Sequence, residues 1–153
     1  MLISIITINY NNHLGLECTV ESVQNQTYTN FEHIIIDGGS ADGSKEYLES
    51  QNDKINYWIS EPDNGIYNAM NKGIKVAKGE YLFFLNSGDD FVNSKALQSI
   101  AQSLSGEDII YFNINQVSNF RKVKVKQVPS ELSFSYLYHD LPPHQSTFIK
   151  KKL

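Results

Sequence analysis

The chain has 153 residues, which is enough for one domain with a single hydrophobic core. Hydrophobic residues make up 41% and charged residues 20%, whereas intrinsic disorder needs few apolar residues and a high net charge. Thirteen basic and seventeen acidic residues give a formal net charge of −4. Because proteins that neutralise many phosphates carry a basic surplus, we expect a globular domain with no nucleic-acid partner.

Cys18 is the only cysteine, which excludes an intramolecular disulfide and fits a reducing cytoplasm. Its place in an apolar-periodic stretch predicts a core position. The N-terminal segment is apolar, but no basic residues precede it and no small-residue cleavage site follows it, which argues against a signal peptide. We predict a cytoplasmic protein, with peripheral contact to the inner face of a membrane left open.

Short apolar runs alternate with amphipathic stretches along the first 114 residues. Runs rich in β-branched and aromatic residues predict strands at residues 2–8, 31–36, 55–59, 80–85 and 108–114. Apolar spacing predicts helices at residues 14–23, 44–50 and 66–77, and a further helix that Ser94 caps and that carries Leu97, Ile100 and Leu104. This alternation is typical of βαβ units, so we predict a three-layer α/β fold with a mostly parallel central sheet.

Polar residues follow four of the predicted strands, at Asn9-Tyr10, at Asp37, and at residues 60–63 and 86–90. Ligands of parallel sheets bind at the carboxyl ends of the strands. We therefore expect these four segments to form one binding site.

The segment Asn86-Ser87-Gly88-Asp89-Asp90 directly follows the apolar run EYLFFL. Two adjacent carboxylates after a flexible glycine suit a hard cation such as Mg²⁺ or Mn²⁺, which can also hold diphosphate oxygens. The alternative is a helix-capping turn, since aspartate before a helix is common. The segment alone does not decide between the two.

The loop after the first strand favours a nucleoside rather than a dinucleotide, and the end of the second strand offers a further contact. Asp37 can accept hydrogen bonds from a ribose or a base, or it can cap the next turn. No GxGxxG and no GxxxxGK[ST] motif is present, which disfavours a dinucleotide fold, a kinase and an NTPase. The segment Asn9-Tyr10-Asn11 offers an aromatic ring and amides instead, which suit stacking on a base and hydrogen bonding to it.

Two further loops have a structural and a functional interpretation. Asp63 lies in Glu61-Pro62-Asp63-Asn64-Gly65, which is either a plain turn or a helix start near a phosphate or a sugar hydroxyl. His144 lies in a proline-flanked loop and is either a surface histidine, a late metal ligand or a diphosphate contact.

The pattern changes after residue 115. Arg121, Lys122, Lys124 and Lys126 alternate with valines, which predicts an exposed strand at a sheet edge. Its basic side is either a solvated face or a contact with a phosphate-bearing acceptor or an anionic membrane surface. A short helix is predicted at residues 130–138 and a loop at 142–145, and the chain stops as though inside an element.

Three segments together closely resemble the inverting family 2 glycosyltransferases of GT-A fold. They are SIITINYNN, SVQNQTYTNFEHIIIDGGSADGS and SEPDNGIYNAMNKGIKVAKGEYLFFLNSGDDF, and they cover residues 3–91 without a break. The tail PHQSTFIKKKL resembles a segment of one bacterial branch of this family, in which LNSGD replaces the usual DxDD. The resemblance implies a GT-A fold, a nucleoside-diphosphate-sugar donor and a divalent metal, Mn²⁺ or Mg²⁺.

The resemblance also assigns residues. Thr7 and Tyr10 would line the base pocket, and Asp37 would accept the imide N–H of a uracil or thymine. Further predicted donor contacts are Asn9, Ser40, Asp42, Asp63, Asn86 and Ser87. Asp89 would be the main metal ligand, with Asp90 and His144 as less certain ones, because Asn86 and Gly88 stand where the family has carboxylates.

The family transfers the sugar in a single displacement, with a carboxylate taking the proton from the acceptor hydroxyl. No Glu-Asp motif stands at the expected place, so Asp140 is the best remaining candidate for this base. The resemblance implies a donor-binding domain at residues 1–115 and the start of an acceptor-side region at 116–153, shorter than in the family. The acceptor would be a saccharide or a lipid-linked glycan of a bacterial surface polysaccharide, and the oligomeric state stays open.

Two other functions remain in competition. A nucleotidyltransferase also uses a GT-A-like sheet and a metal, but it normally carries a glycine- and basic-rich loop after the first strand, which this chain lacks. A non-catalytic module that keeps the nucleotide pocket without a base is the second.

Overall fold

The computed structural model describes residues 1–117 and 123–152. Its strands are β1 (Ile3–Asn9), β2 (Phe31–Asp37), β3 (Tyr57–Ser60), β4 (Tyr81–Phe84), β5 (Ile109–Tyr111), β6 (Ile114–Val117), β7 (Val123–Lys126) and β8 (Thr147–Lys150). Its helices are α1 (His13–Gln24), α2 (Ser44–Ser50), α3 (Ile66–Val76), α4 (Ala96–Ser103) and α5 (Phe134–His139), and a 3₁₀ turn spans His144–Ser146.

The central sheet has six strands in the order β3-β2-β1-β4-β8-β5. Strands β1 to β4 pair in parallel, whereas β8 is antiparallel to both of its neighbours, β4 and β5. Strand β5 therefore runs in the same direction as β1 to β4. The predicted mostly parallel sheet is confirmed.

The two faces of the sheet bury alternate residues of the same strands. On one face, Ile3 and Ile5 of β1 share a cluster with Val23 of α1 and Leu97 of α4. Ile35 of β2 lies on the same face of the sheet, where it packs against residues of α1 and α2. The other face is covered by α3, which packs on a cluster that contains the even-numbered residues Ile6, Ile8, Ile34 and Ile36. The alternation and the two helix layers follow from the period of two in a strand.

Two sequence expectations about helices were wrong. Ser94 does not cap α4, which begins after Lys95; its backbone carbonyl instead accepts a hydrogen bond from Thr27 N at 2.8 Å. Cys18 is exposed on α1, because the apolar side of that helix is formed by Leu16, Val20 and Val23.

The region after residue 108 differs most from the expectation. The predicted strand at 108–114 is divided between β5 and β6, and β6 pairs with β7 as a separate antiparallel hairpin rather than at an edge of the central sheet. Arg121 and Lys122 of the predicted basic strand lie outside the described residues. The last segment returns as β8 and inserts between β4 and β5. Among the helices of the described ranges, none is long and apolar enough to cross a membrane.

Candidate functional site

The carboxyl ends of the parallel strands meet at one edge of the sheet, as the sequence predicts. In the strand register Asn9 lies beside Asp37, and Asp37 lies beside Ser60. The chain after β4 continues along β1, because Ser87 N donates to Ile8 O at 3.1 Å. The four polar segments therefore adjoin one another in space, although they are far apart in sequence.

A cavity of about 560 Å³, here called the Tyr10 cavity, opens at this edge. Its lining residues are Ile8, Asn9, Tyr10, Gly38, Pro62, Asp63, Gly65, Ile66, Ala69 and Asn86. The Tyr10 ring is 67% exposed, which leaves its face free to stack on a planar ligand. A Cβ atom at Gly38 would lie 3.1 Å from Tyr10 Cδ2, so the glycine allows the ring to approach the loop after β2.

Asp37 is fully buried beneath this cavity, and its carboxylate is surrounded by donors. Asn9 Nδ2 and Ser40 Oγ donate to Oδ1 at 2.7 and 2.5 Å, and Ser40 N and Ser60 Oγ donate to Oδ2 at 3.0 and 2.6 Å. Burial alone raises the pKa of Asp37, but the hydrogen bonds of Ser40, Ser60 and Asn9 outweigh it and hold the pKa below its usual range. A carboxylate has about four acceptor positions, so this one has no position left for a ligand in the present arrangement.

Asp63 presents its carboxylate to the cavity instead. Lys72 Nζ lies 2.5 Å from its Oδ1, and Asp63 Oδ2 points towards Gly38, 3.3 Å from where a Cβ atom would stand. The hydrogen bonds of the described residues include none to Oδ2. Lys72 Nζ also contacts Glu61 at 2.8 Å. The pKa of the Lys72 ammonium group is raised, mainly by the neighbouring carboxylate of Asp63. Asp63 Oδ1 is buried and is held by its ion pair with Lys72 alone, without a hydrogen bond of regular geometry within the described residues, whereas Oδ2 is left for a ligand.

Thr7, a predicted base contact, is fully buried, and its hydroxyl lies 2.9 Å from Nε2 of the buried His33. Its side chain therefore does not reach the cavity. Asn9 does line the cavity, and its Oδ1 is buried without a hydrogen-bond partner in the described part of the chain; the same holds for Asn86 Oδ1. Since unpaired buried oxygens are costly, both suit a ligand that donates hydrogen bonds or a cation.

Ser40 and Asp42 brace the loop that follows β2. Ser40 Oγ accepts a hydrogen bond from Asn11 N at 2.8 Å as well as contacting Asp37. Asp42 accepts hydrogen bonds from His13 N at 2.8 Å and from the Ser44 hydroxyl at 2.6 Å. The hydrogen bond from Ser44 is the main reason that the pKa of Asp42 lies below its usual range. Both residues join the loops after β1 and β2 and lie outside the lining of the Tyr10 cavity.

The segment after β4 forms a tight turn in which Asp89 N donates to Asn86 O at 2.9 Å. Gly88 has a φ of 96°, a backbone conformation that favours glycine. The Ser87 carbonyl accepts a hydrogen bond from Asn12 Nδ2 at 3.0 Å, and Asn12 is the N-cap of α1. This turn separates the Tyr10 cavity, which Asn86 lines, from a second cavity of about 820 Å³, which Asp89 and Asp90 line.

Asp89 is half-buried and has two neighbours from the segment before β8. Burial raises the pKa of the Asp89 carboxyl, whereas a hydrogen bond with Gln145 and the nearby His144 ring act to lower it. His144 Nε2 lies 3.0 Å from Asn86 Nδ2, so the histidine that sequence analysis singled out does adjoin the predicted metal loop. Gln145 could not be predicted as a neighbour of Asp89, because only the pairing of β8 with β4 brings a residue after position 140 to this turn. Asp90 is exposed.

These side chains fit a divalent cation only in part. The carboxylate of Asp89, the unpaired Oδ1 of Asn86 and the ring of His144 are suitable oxygen and nitrogen donors. Within residues 1–117 and 123–152, however, no three His, Cys, Asp or Glu side chains are grouped closely enough to hold a metal ion on their own. A bound cation would therefore need further ligands, such as diphosphate oxygens and water.

Asp140, the candidate base, follows α5 and forms an ion pair with Lys126 Nζ at 2.9 Å. The hydrogen bond from Lys126 is the main reason that its pKa lies below the usual range, which makes it a weaker base. Among the described residues that line the two cavities, Asp140 does not occur.

Known proteins resemble most of this chain. The sequence profile of the family "Glycosyl transferase family 2" matches residues 4–150. An uncharacterized glycosyltransferase of Mycobacterium tuberculosis is 36% identical over 99% of the chain, which spans 59% of that relative. A beta-1,3-glucosyltransferase of Escherichia coli, WfgD, named for UDP-Glc and alpha-D-GlcNAc-diphosphoundecaprenol, is 28% identical over 89% of the chain and 54% of its own length.

Among solved structures, TarS of S. aureus (residues 1–349, in complex with UDP-GlcNAc) superposes with a TM-score of 0.76. It shares 21% sequence identity and covers 99% of this chain, which spans 46% of the TarS chain. This agreement confirms the predicted GT-A architecture, and the profile match extends from β1 into β8. The chain belongs to glycosyltransferase family 2.

Proposed function

We propose that this chain binds a UDP-linked sugar and that the glycosyltransferase containing it transfers the sugar, with inversion, to a saccharide or lipid-linked acceptor in cell-surface polysaccharide synthesis. The observation that carries this proposal is the Tyr10 cavity, which combines an exposed aromatic ring, a free carboxylate oxygen of Asp63 and two unpaired amide oxygens. The names of relatives that use UDP-Glc or bind UDP-GlcNAc point in the same direction.

The proposed base is uracil, for a physical reason. A uracil ring can stack on Tyr10 and donate its imide N–H to a carboxylate, whereas cytosine has no N–H at that position. Sequence analysis gave this acceptor role to Asp37, but all four acceptor positions of Asp37 are filled. We therefore assign the contact to Asp63 Oδ2 and give Asp37 the role of holding Asn9, Ser40 and Ser60 in place.

The diphosphate is proposed to lie beside the turn at residues 86–89. Asp89, His144 and the Asn86 amide would hold Mn²⁺ or Mg²⁺ together with phosphate oxygens, and the cation would stabilise charge on the departing diphosphate. Because the pKa of Asp89 is raised by its burial, a cation beside it also offsets the cost of keeping a half-buried carboxylate ionised.

Isothermal titration of the purified chain tests the proposal. UDP, UDP-glucose, UDP-N-acetylglucosamine, CDP and GDP are each titrated with and without Mn²⁺. We expect the uridine nucleotides to bind more tightly than the others, and Mn²⁺ to strengthen that binding. Equal binding of all five ligands, or no binding of any, would overturn the proposal.

A further inference from the structure

A polar face of α1 contacts the segment that follows β4. The residues on this face recur every three or four positions, and they are Asn12, Gly15, Thr19, Ser22 and Gln26. All five form hydrogen bonds with this segment. Asn12 Nδ2 donates to Ser87 O at 3.0 Å, and Gly88 N donates to Gly15 O at 3.1 Å. Phe91 N donates to Ser22 Oγ at 2.8 Å, and Gln26 Nε2 donates to Asn93 O at 2.9 Å. Side chains of α1, of its N-cap Asn12 and of Gln26 just after its end therefore hold this segment, which has no regular structure of its own.

Thr19 lies at the centre of this face and is fully buried. Its hydroxyl accepts a hydrogen bond from Gly88 N at 3.0 Å and is within donating distance of Asp89 O at 2.7 Å. The Gly88 N–H belongs to the peptide group before Gly88, and the Asp89 carbonyl belongs to the peptide group after Asp89. One hydroxyl therefore bonds at both ends of the Gly88-Asp89 dipeptide, which carries the carboxylate that we assign to the diphosphate side of the site.

We infer that Thr19 is a positioning residue for Asp89, and this inference rests on the proposed function. Gly88 gives the turn a backbone freedom that other residues lack, so the direction of Asp89 depends on contacts from outside the turn. Removing the hydroxyl leaves Asp89 O without its nearest donor, and the peptide must rotate towards solvent to regain a hydrogen bond. The carboxylate then moves with it.

The test separates this role from simple packing. Thr19→Val keeps the shape of the side chain and removes the hydroxyl, whereas Thr19→Ser keeps the hydroxyl and removes a methyl group. Groups that orient metal ligands typically change metal affinity by about tenfold or more when they are lost. We expect Thr19→Val to lose most of the Mn²⁺-dependent gain in UDP affinity while uridine binding is retained, and we expect Thr19→Ser to behave like the parent chain.

Val20→Ala is the matched control, because Val20 is the next residue of α1, is equally buried and packs against Leu16 and Ile35 rather than the loop. An equal loss of the Mn²⁺-dependent gain in Val20→Ala, or no loss in Thr19→Val, overturns the inference while the proposed function stands. If the parent chain binds no UDP, the proposed function itself fails. Should Thr19→Val not fold, Thr19→Ala, which also removes the hydroxyl, is measured in the same way, and an unchanged Mn²⁺-dependent gain in that variant overturns the inference.

Discussion

Asn86 Nδ2 lies 3.0 Å from His144 Nε2, although 58 positions separate the two residues. The contact depends on β8, which inserts beside β4 and brings the 3₁₀ turn of residues 144–146 against the turn after β4. His144 and Gln145 thus adjoin the donor side of the site. The division into a donor-binding domain at residues 1–115 and an acceptor-side region at 116–153 stays a prediction. If it holds, the later region still places two residues beside the donor site.

Replacing Asp89 tests the proposed metal side of the site. We expect Asp89→Ala to abolish the strengthening of UDP binding by Mn²⁺, because it removes the carboxylate that is hydrogen-bonded to Gln145 and adjoins His144. Asp90→Ala is the control, since that neighbouring carboxylate is exposed, and we expect a smaller effect. Titration calorimetry of both variants checks this. UDP affinity in Mn²⁺ that is unchanged in Asp89→Ala contradicts the assignment.

Two aspartate-to-asparagine substitutions test which carboxylate accepts the hydrogen bond from the uracil N–H. We expect Asp63→Asn to reduce the preference for UDP over CDP, because an amide donates as well as accepts and can no longer select an imide N–H. In contrast, Asp37→Asn should lower the melting temperature, because an amide cannot accept all four of the hydrogen bonds around that position. Leaving a buried donor unpaired costs about 1–3 kcal/mol.

Competition binding and thermal melting of the same two variants give the answer. If Asp37→Asn melts like the parent chain and loses the preference for UDP, while Asp63→Asn keeps it, the base contact belongs to Asp37.

The architecture could be predicted because local patterns encode it. Apolar runs and helical spacing define β1 to β4 and α1 to α3, and the rule for parallel sheets places Asn9, Asp37 and Asn86 at one edge. Strand β8 was missed, because its pairing between β4 and β5 depends on contacts far apart in sequence. The same limit applies to Gln145.

The hydrogen bonds of individual side chains could not be predicted from the sequence either. Asp37 is a plausible ligand in any pattern, and only the positions of Ser40 and Ser60 reveal that its oxygens are occupied. The proposed role of Thr19 could not be predicted either, because the apolar residues of α1 are what indicates its buried face. A polar residue every three or four positions in α1 was the available signal.

The stability of the fold should decrease in mild acid because of His33. Burial lowers the pKa of this histidine to about 3, so the folded protein keeps it neutral beside Thr7. The unfolded chain binds the proton near pH 6.5. The contribution to stability is therefore complete above pH 6.5 and is lost as the pH falls towards 3, by up to about 1.4 kcal/mol per pH unit.

Urea unfolding of the parent chain and of His33→Gln between pH 7 and pH 4 checks this effect. We expect the difference in unfolding free energy between the two to shrink as the pH falls, because only the parent chain has His33 to protonate. His139→Gln, at an exposed histidine, is the control. A difference for His33→Gln that stays constant between pH 7 and pH 4 would show that the ring stays accessible to protons in the fold.

Replacing Gly88 tests how the backbone conformation of the turn affects the proposed metal side of the site. Its φ of 96° is unfavourable for other residues by about 1–2 kcal/mol, so Gly88→Ala should lower the melting temperature. The new Cβ would also stand 3.3 Å from Asn12 Nδ2, which bonds the Ser87 carbonyl. We therefore expect the turn to shift and the Mn²⁺-dependent part of UDP binding to fall.

Gly106→Ala is the matched control, because Gly106 has a similar φ of 112° and a Cβ there would meet nothing within 4 Å. Both variants should lose stability for the same backbone reason, but Gly106→Ala should bind UDP in Mn²⁺ like the parent chain. Equal binding by both variants would mean that the turn tolerates the shift. The glycine would then serve the backbone alone, and the position of Asp89 would depend on Thr19 and Gln145 rather than on the conformation of Gly88.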